Sequence, residues 1–325
     1  MDIGGGDISR VPRSQRCTAS YRELFERRAV TLPRPIVCDS LRRLGAPHDG
    51  GYVVPIEAIE RASRLLSFGL GMDWSFERAA TRLNPNLRVD VYDPYVQRRR
   101  FRNMRARSLA TIPLRVLTLS PRRARSSWRK AALANDYFRF FSGAHRHHEQ
   151  RIWYNGDNGS ASIVDVIESA SVDGSLSLFT KIDIEGSEYR ILPAICSYAD
   201  LFTGLVIEFH NLDICADLFM AQMGALQSTF DVVHLHGNNH GDLGWDGRTP
   251  LSLEISLLNK RLLKGDAILY EGPLPRPGLD APNDRNRPDY VLDVTQWPFE
   301  PFTSRDDSTS ATGLSSRSSR HAPLS

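Results

Sequence analysis

Short apolar runs recur along this chain, and most are followed by a stretch with helical spacing of apolar residues. This alternation constrains the fold more than any other feature, because strands joined by helical crossovers of about 10–15 residues pair in parallel. Leu65, Leu66 and Phe68 form a run stopped by Gly69 and Gly71, and Phe76 to Leu83 follows with helical spacing. Leu87 to Tyr92 is predicted as a second strand, closed by Asp93-Pro94. Ile163 to Ala170 reads as a helix, Leu176 to Ile184 as a third strand, and Glu188 to Tyr198 as the helix after it. Leu205 to Ile207 starts a fourth strand, and a helix is expected within Leu212 to Phe230. Val232 to Leu235 and Leu251 to Leu257 complete the series. In the last, Leu251, Leu253, Ile255 and Leu257 alternate with Ser252, Glu254 and Ser256. No helix fits between these two strands, so an antiparallel pair is expected at one side of the sheet. The predicted fold is α/β, a doubly wound and mostly parallel sheet. Ligands of such sheets bind beyond the carboxyl ends of the strands, where strand order reverses.

Those strand ends carry the polar residues. Ser67-Phe68-Gly69-Leu70-Gly71-Met72-Asp73 ends the first strand, and its glycines permit a tight turn and close approach of a ligand to the main chain. Asp93 ends the next strand, where a carboxylate can bind the two hydroxyls of a ribose. Trp74 stands where a dinucleotide fingerprint needs its third glycine, and none of the four lysines follows a glycine. Neither a pyrophosphate site nor a P-loop is therefore provided. A nucleoside without phosphates remains, and S-adenosylmethionine fits that description, although the glycines also suit a plain turn.

Lys181-Ile182-Asp183-Ile184-Glu185-Gly186-Ser187-Glu188-Tyr189 places a lysine and the carboxylates of Asp183 and Glu185 at a third strand end. Such charges are costly to bury unless paired or used; helix-capping acids beside a salt-bridged lysine would have the same pattern. Glu208-Phe209-His210-Asn211 ends the fourth strand, and His210 is suited to titrate near neutral pH. His234 and His236 share one strand face, and Glu254 is expected to pair with one of them. Carboxylates and imidazoles in this number can hold a divalent metal that acidifies a hydroxyl, but a hydrogen-bonded lining is the plainer expectation and no metal ligand is assigned. Asn238 and Asn239 read as turn residues. His145, His147 and His148, in an Arg-containing run, are expected to be solvated, and Asp49-Gly50 is a hairpin signal.

Charge is distributed unevenly. The 325 residues carry a net +3, yet Arg98 to Lys130 holds twelve basic residues and no Asp or Glu, leaving −9 elsewhere. Basic residues can contact phosphates. Only Phe101 and Trp128 are available there to stack on bases, which argues against a nucleic-acid partner. A hydrophobic share of 41% suffices for one large core and excludes wholly disordered and collagen-like classes. Cys17, Cys38, Cys196 and Cys215 are too scattered for a disulfide framework or a zinc site. No apolar run is long enough to span a membrane, and no secretory signal is visible, so a cytoplasmic location is expected. Residues 1–19 and 303–325 have the composition of disordered ends. One domain is expected over 20–302, with a basic insertion at about 98–148.

The segment Lys181 to Tyr189 resembles the signature of FkbM-type S-adenosylmethionine-dependent methyltransferases. Further segments are similar to a eukaryotic-type branch of that family: His48-Asp49-Gly50-Gly51-Tyr52-Val53, Ser67 to Glu77, Val206 to His210, His234-Leu235-His236-Gly237-Asn238-Asn239, and Asp280-Ala281-Pro282-Asn283. The resemblance implies a Rossmann-like class I methyltransferase fold and O-methylation of a sugar, glycan or other small-molecule hydroxyl. It places Ser67, Gly69, Gly71, Asp73 and Asp93 at the cofactor, with Gly51 and Asp157 as further contacts. Asp183 or His210 is then the base, with Glu185 beside them and Lys181 orienting a carboxylate or the acceptor. Ser67 is a departure, since many methyltransferases have an acid at this place, and the cofactor's amine is then expected to find its partner elsewhere, at Asp73 or Asp183. The alternatives are a nucleic-acid methyltransferase or binder using residues 98–130, and a domain that binds S-adenosylmethionine without turnover.

Overall fold

The structure, a computed structural model, describes residues 30, 32–117, 121–157, 159–171, 174–244 and 247–292. The two terminal segments expected to be disordered, and Cys17, lie outside the described residues. The chain begins with a hairpin, β1 (Leu41–Leu44) and β2 (Tyr52–Pro55), turned at the Asp49-Gly50 signal. Helix α1 (Ile56–Arg61) leads to β3 (Arg64–Phe68), α2 (Ser75–Leu83) and β4 (Arg88–Tyr92). Two long helices, α3 (Arg98–Leu117) and α4 (Pro121–Phe140), connect to β5 (His145–His148). A small parallel ribbon of β6 (Arg151–Trp153) and β7 (Ser160–Ser162) precedes α5 (Ile163–Ala170) and β8 (Leu178–Ile182). Then come α6 (Glu188–Ser197), β9 (Phe202–Phe209), α7 (Ala216–Leu226), β10 (Phe230–Gly237) and β11 (Leu253–Asn259).

Seven strands form one sheet in the order β10-β11-β9-β8-β3-β4-β5. The strands from β9 to β5 run parallel, and β11 is antiparallel to both β9 and β10. This is the Rossmann-like class I methyltransferase arrangement. Strand order reverses between β3 and β8, so the crevice at their carboxyl ends is the ligand position for a sheet of this kind. The antiparallel pair differs in one respect from the expectation. β11, the last strand among the described residues, inserts between β9 and β10 and leaves β10 at the edge. Its polar face is covered: Ser256 Oγ donates to Val53 O of β2, and Glu254 is held by His236 and Asn283. Alternation of apolar and polar residues therefore marks a strand buried on both faces.

Period-two alternation divides the strands between two cores. Leu66, Phe68, Ile182, Ile207 and Phe209 pack with Ile167 of α5, Leu192 of α6 and Phe219 of α7. Leu65, Val89, Val91, Phe179 and Val206 pack on the other face with Ile59, Phe76, Ala80 and the hairpin. The basic segment supplies the crossover from β4 to β5. Phe101 of α3 stacks on Tyr137 of α4 at 3.9 Å, and Trp74 meets both rings edge-on while its Nε1 donates to Asp136. Trp74, in place of a third glycine, thus anchors the helical pair.

The expectation for His145, His147 and His148 is corrected. They form an outer strand of the sheet, and the expected insertion ends before it. The strand's alternation turns His147 inward, where it is buried between the Tyr137 hydroxyl and the Asp93 carbonyl, while Arg146 faces solvent.

The segment after β11 is tied across β10 by buried histidine–carboxylate contacts. Asp280 meets His234 at 3.0 Å, and His236 lies between Glu254 (3.3 Å) and Asp289 (3.1 Å). Asn239 Nδ2 donates to the carbonyls of Asp284, Arg287 and Pro288. Burial lowers the pKa of His236, but its bonds to Asp289 and Glu254 outweigh burial and push it up to about 10. A raised folded-state pKa gives stability that is complete below the unfolded value of 6.5 and lost as pH rises through about 10. The denaturant midpoint is therefore expected to fall between these pH values. His236→Gln is expected to flatten that fall and to destabilise the chain at pH 7 by about 3–5 kcal/mol, because Glu254 and Asp289 lose their shared counterion. Chemical denaturation against pH measures both effects.

Candidate active site

The loop after β3 presses against the end of β8. Gly69 has φ +86°, and a Cβ there would stand 1.7 Å from the Asp183 carbonyl oxygen, so only glycine fits. Gly71, at φ +57°, has nothing within 4 Å of a built Cβ. Asp93 holds this loop from the end of β4. Its Oδ2 accepts from Leu70 N (2.9 Å) and Gly71 N (3.0 Å), and its Oδ1 from Tyr95 N (2.7 Å) and Val96 N (3.0 Å). A carboxylate offers about four lone-pair sites, and all four already meet backbone amides. Asp93 thus shapes the glycine loop and has no spare acceptor turned toward a ribose.

An acid from α2, Glu77, lies beside position 67. Buried Ser67 donates to Glu77 Oε1 at 2.6 Å, and Glu77 Oε2 is buried without a partner among the described residues. Burial pushes the Glu77 carboxyl up, against the pull of Lys181 and Ser67. Position 77 escaped the sequence reading because a helix turn, not the strand, brings it back beside Ser67. Asp73 Oδ1 accepts from Ser75 N at the start of α2. Gly51 is required by packing, since a Cβ there would meet Ala46 O at 1.9 Å. Asp157 is exposed and bonded to Ser160 and Arg151, on the rim of a shallow depression in the β6–β7 loop.

The catalytic residues expected from sequence do meet. Lys181 Nζ donates to Gly69 O at 2.7 Å and lies 3.7 Å from Asp183 Oδ2, with the Tyr52 ring below it. Tyr52, from the hairpin, donates its hydroxyl to the same Asp183 oxygen at 2.8 Å, and burial drives its phenol pKa well above the usual value. From the end of β9, His210 Nε2 faces Glu208 Oε1 (3.5 Å), Glu185 Oε2 (3.6 Å) and Asp183 Oδ1 (4.0 Å). Its Nδ1 and backbone N both reach Glu188 Oε1, at 3.1 and 2.7 Å. Burial depresses the imidazole's pKa, but Glu188, Glu208 and Asp183 outweigh burial and raise it to about 9. His210 is therefore a cation at neutral pH. Glu208 accepts from Asn238 Nδ2 at 2.6 Å, and burial with Asp183 and Glu254 nearby pushes its carboxyl well up. Tyr52, Glu188 and Asn238 had no role in the expected catalytic set. Tyr52 and Asn238 arrive from distant elements, which no local spacing reports.

No protein-family model matches the sequence, and a comparison with curated proteins finds no match. Among solved structures, the chain is similar to the fibrillarin pre-rRNA processing protein of Methanococcus jannaschii. Identity is 12% and the TM-score 0.31, over 62% of this chain and 69% of that one. It is also similar to precorrin-6y C5,15-methyltransferase of Geobacter metallireducens GS-15, at 10% identity and a TM-score of 0.28, over 62% and 84%. Cofactor-bound Rv0187 from MTB matches at 12% and 0.29, over 78% and 92%. The fold assignment rests on strand order, not on likenesses of this size. Among the described residues, no helix is long and apolar enough to cross a membrane.

An amide in place of the Asp93 carboxylate keeps only one acceptor oxygen. Asp93→Asn is therefore expected to strand two of the four amides and to destabilise the chain by about 2–5 kcal/mol. Hydrogen exchange should quicken at Leu70, Gly71, Tyr95 and Val96; unchanged protection at all four would contradict the role of Asp93 as the loop's clamp.

Proposed function

We propose that this chain is an S-adenosylmethionine-dependent methyltransferase of the FkbM type, acting on a hydroxyl of a sugar, glycan or other small molecule. The observation that carries this reading is the convergence of the glycine loop, Lys181, Asp183 and His210 on one crevice, where strand order reverses. The residues present suit the cofactor. The partnerless Glu77 Oε2 is an acceptor for an ammonium group, and the open face of Gly71 admits a ligand to the main chain. When bound, the cofactor supplies a methyl group on a sulfonium, a good leaving group.

The chain's own residues then hold the acceptor oxygen in line and take its proton. Tyr52 and Lys181 fix Asp183 Oδ2 and leave Oδ1 turned to the crevice as the base. His210, cationic at neutral pH, donates from Nε2 toward the acceptor oxygen; of the two expected bases, Asp183 and His210, this favours Asp183.

Calorimetry with S-adenosylmethionine, followed by methyl-label transfer into fractionated cell extract, tests the proposal. The native chain is expected to bind the cofactor, and Asp183→Asn to lower kcat by about 10²–10⁴-fold with cofactor affinity retained. No uptake by the native chain would refute the cofactor assignment. One feature favours RNA as the acceptor, namely the run of basic residues from Arg98 to Lys130, on α3 and the first half of α4, without an acid. Label appearing in RNA, with salt-sensitive retention, would support that acceptor instead.

A further inference from the structure

We propose that Arg64, Arg88 and Arg146 form a binding site for the phosphate group of a small phosphomonoester, on the amino-terminal half of β3, β4 and β5. A cavity of about 280 Å³ lies there, lined by these three arginines with Asp90, Gly143 and Ala144. The register of the sheet brings the charged residues together. Arg64 of β3 lies beside Arg88 of β4, and Asp90, two residues on, lies beside Arg146 of β5. Lateral partners share a face of the sheet, as do residues two apart on one strand, so all four side chains stand on one side. Helices α5, α6 and α7 cover the inner strands on this side, and Arg88 and Arg146 at its margin are exposed.

Charge distinguishes this cavity from an ordinary surface depression. Three guanidiniums face one carboxylate, and that carboxylate is already engaged. Asp90 Oδ2 accepts from Arg64 Nη1 at 2.7 Å, and Oδ1 lies 3.2 Å from His148 Nε2. Burial raises the Asp90 carboxyl, but its bonds to His148 and Arg64 outweigh burial and hold it below its usual value. Asp90 therefore cancels one of the three arginine charges and leaves an excess of two. Among the described residues, neither Arg88 nor Arg146 has an ion pair or a side-chain hydrogen bond. Like charges side by side on neighbouring strands repel, and Arg64 beside Arg88 is such a pair. An anion between them removes that repulsion. The turn from α4 to β5 adds backbone to the lining. Gly143 has φ +67° and nothing within 4 Å of a built Cβ. Its amide and that of Ala144 donate to no backbone carbonyl among the described residues.

The guanidinium fork matches the edge of a phosphate, which it can hold through two parallel hydrogen bonds. A phosphomonoester carries close to two negative charges at pH 7, equal to the excess in the cavity, whereas a carboxylate brings only one. A water occupies about 30 Å³, so the cavity is larger than a phosphate group fills and admits a small organic part as well. Tyr92 and His148, stacked at 4.4 Å, come next on the same face and stand between the cavity and the carboxyl edge. Phosphate binding here is thus separate from the crevice and independent of the methyltransferase reading.

Calorimetry of the full chain with glycerol phosphate at constant ionic strength tests the site, with inorganic phosphate and acetate as comparison probes. One glycerol phosphate per chain is expected, with inorganic phosphate competing for it and acetate binding more weakly. Arg88→Ser and Arg146→Ser are each expected to weaken binding by about 10-fold or more, the loss of a hydrogen bond to a charged group. Both side chains are exposed and unpaired, so these variants leave folding intact. Arg122→Ser, on the exposed part of α4, is expected to leave the affinity unchanged. No binding by the native chain, acetate bound as tightly as glycerol phosphate, or affinity unchanged in both cavity variants would overturn the site. Weakening by Arg122→Ser alone would also overturn it, since the anion would then lie on the basic helices.

Discussion

Four carboxylates lie within 4.0 Å of one histidine at the carboxyl edge of the sheet. That concentration of negative charge governs how the surrounding residues are arranged. Two of the four, Glu188 and Glu208, are almost wholly removed from water, where an uncompensated charge is costly. Each is answered by a specific donor: Glu188 by two backbone amides and the His210 ring, Glu208 by Asn238. Asp183 takes the Tyr52 hydroxyl and stands near Lys181. Elements far apart in the chain thus meet because carboxylates placed together by β8 and β9 need donors that neither strand carries.

The glycine loop obeys a second constraint, one of space. Gly69 passes so near the Asp183 backbone that no side chain fits, and Asp93 fastens the loop through its amides. The ammonium of Lys181 links loop and cluster by bonding the Gly69 carbonyl while standing beside Asp183. A displacement of β8 would therefore move the loop and the carboxylates together. By this geometry Lys181 and Asp93 hold the loop in place, while Asp183 Oδ1 and His210 Nε2 face each other at 4.0 Å.

Much of the fold was legible because strands and crossover helices leave local patterns. Leu65 to Phe68, Leu87 to Tyr92 and Ile163 to Ala170 were found within a residue or so of their bounds. His145 to His148 was misread because four polar residues show no apolar alternation; inside the sheet, Tyr137 and Asp93 give the buried ring its partners. The insertion of β11 was hidden for a related reason. Its polar face pairs with groups on β2, β10 and the closing segment, and sequence alone cannot distinguish a polar face covered by protein from one covered by water.

Within the site, the residue types at each strand end were set by the sequence itself: glycines after β3, Asp93 after β4, a lysine near the end of β8 with two acids after the strand, and His210 after β9. Their convergence follows from parallel pairing, which brings successive carboxyl ends to one edge. Tertiary structure decided what each group does there. It filled the lone pairs of Asp93 with amides, brought Glu77 to the place of a missing strand-end acid, and surrounded His210 with enough carboxylates to make it a cation. The physical reason is range. Propensity and periodicity act over a few residues, whereas hydrogen-bond saturation and the electrostatic field depend on every group packed nearby, whatever its position in the chain.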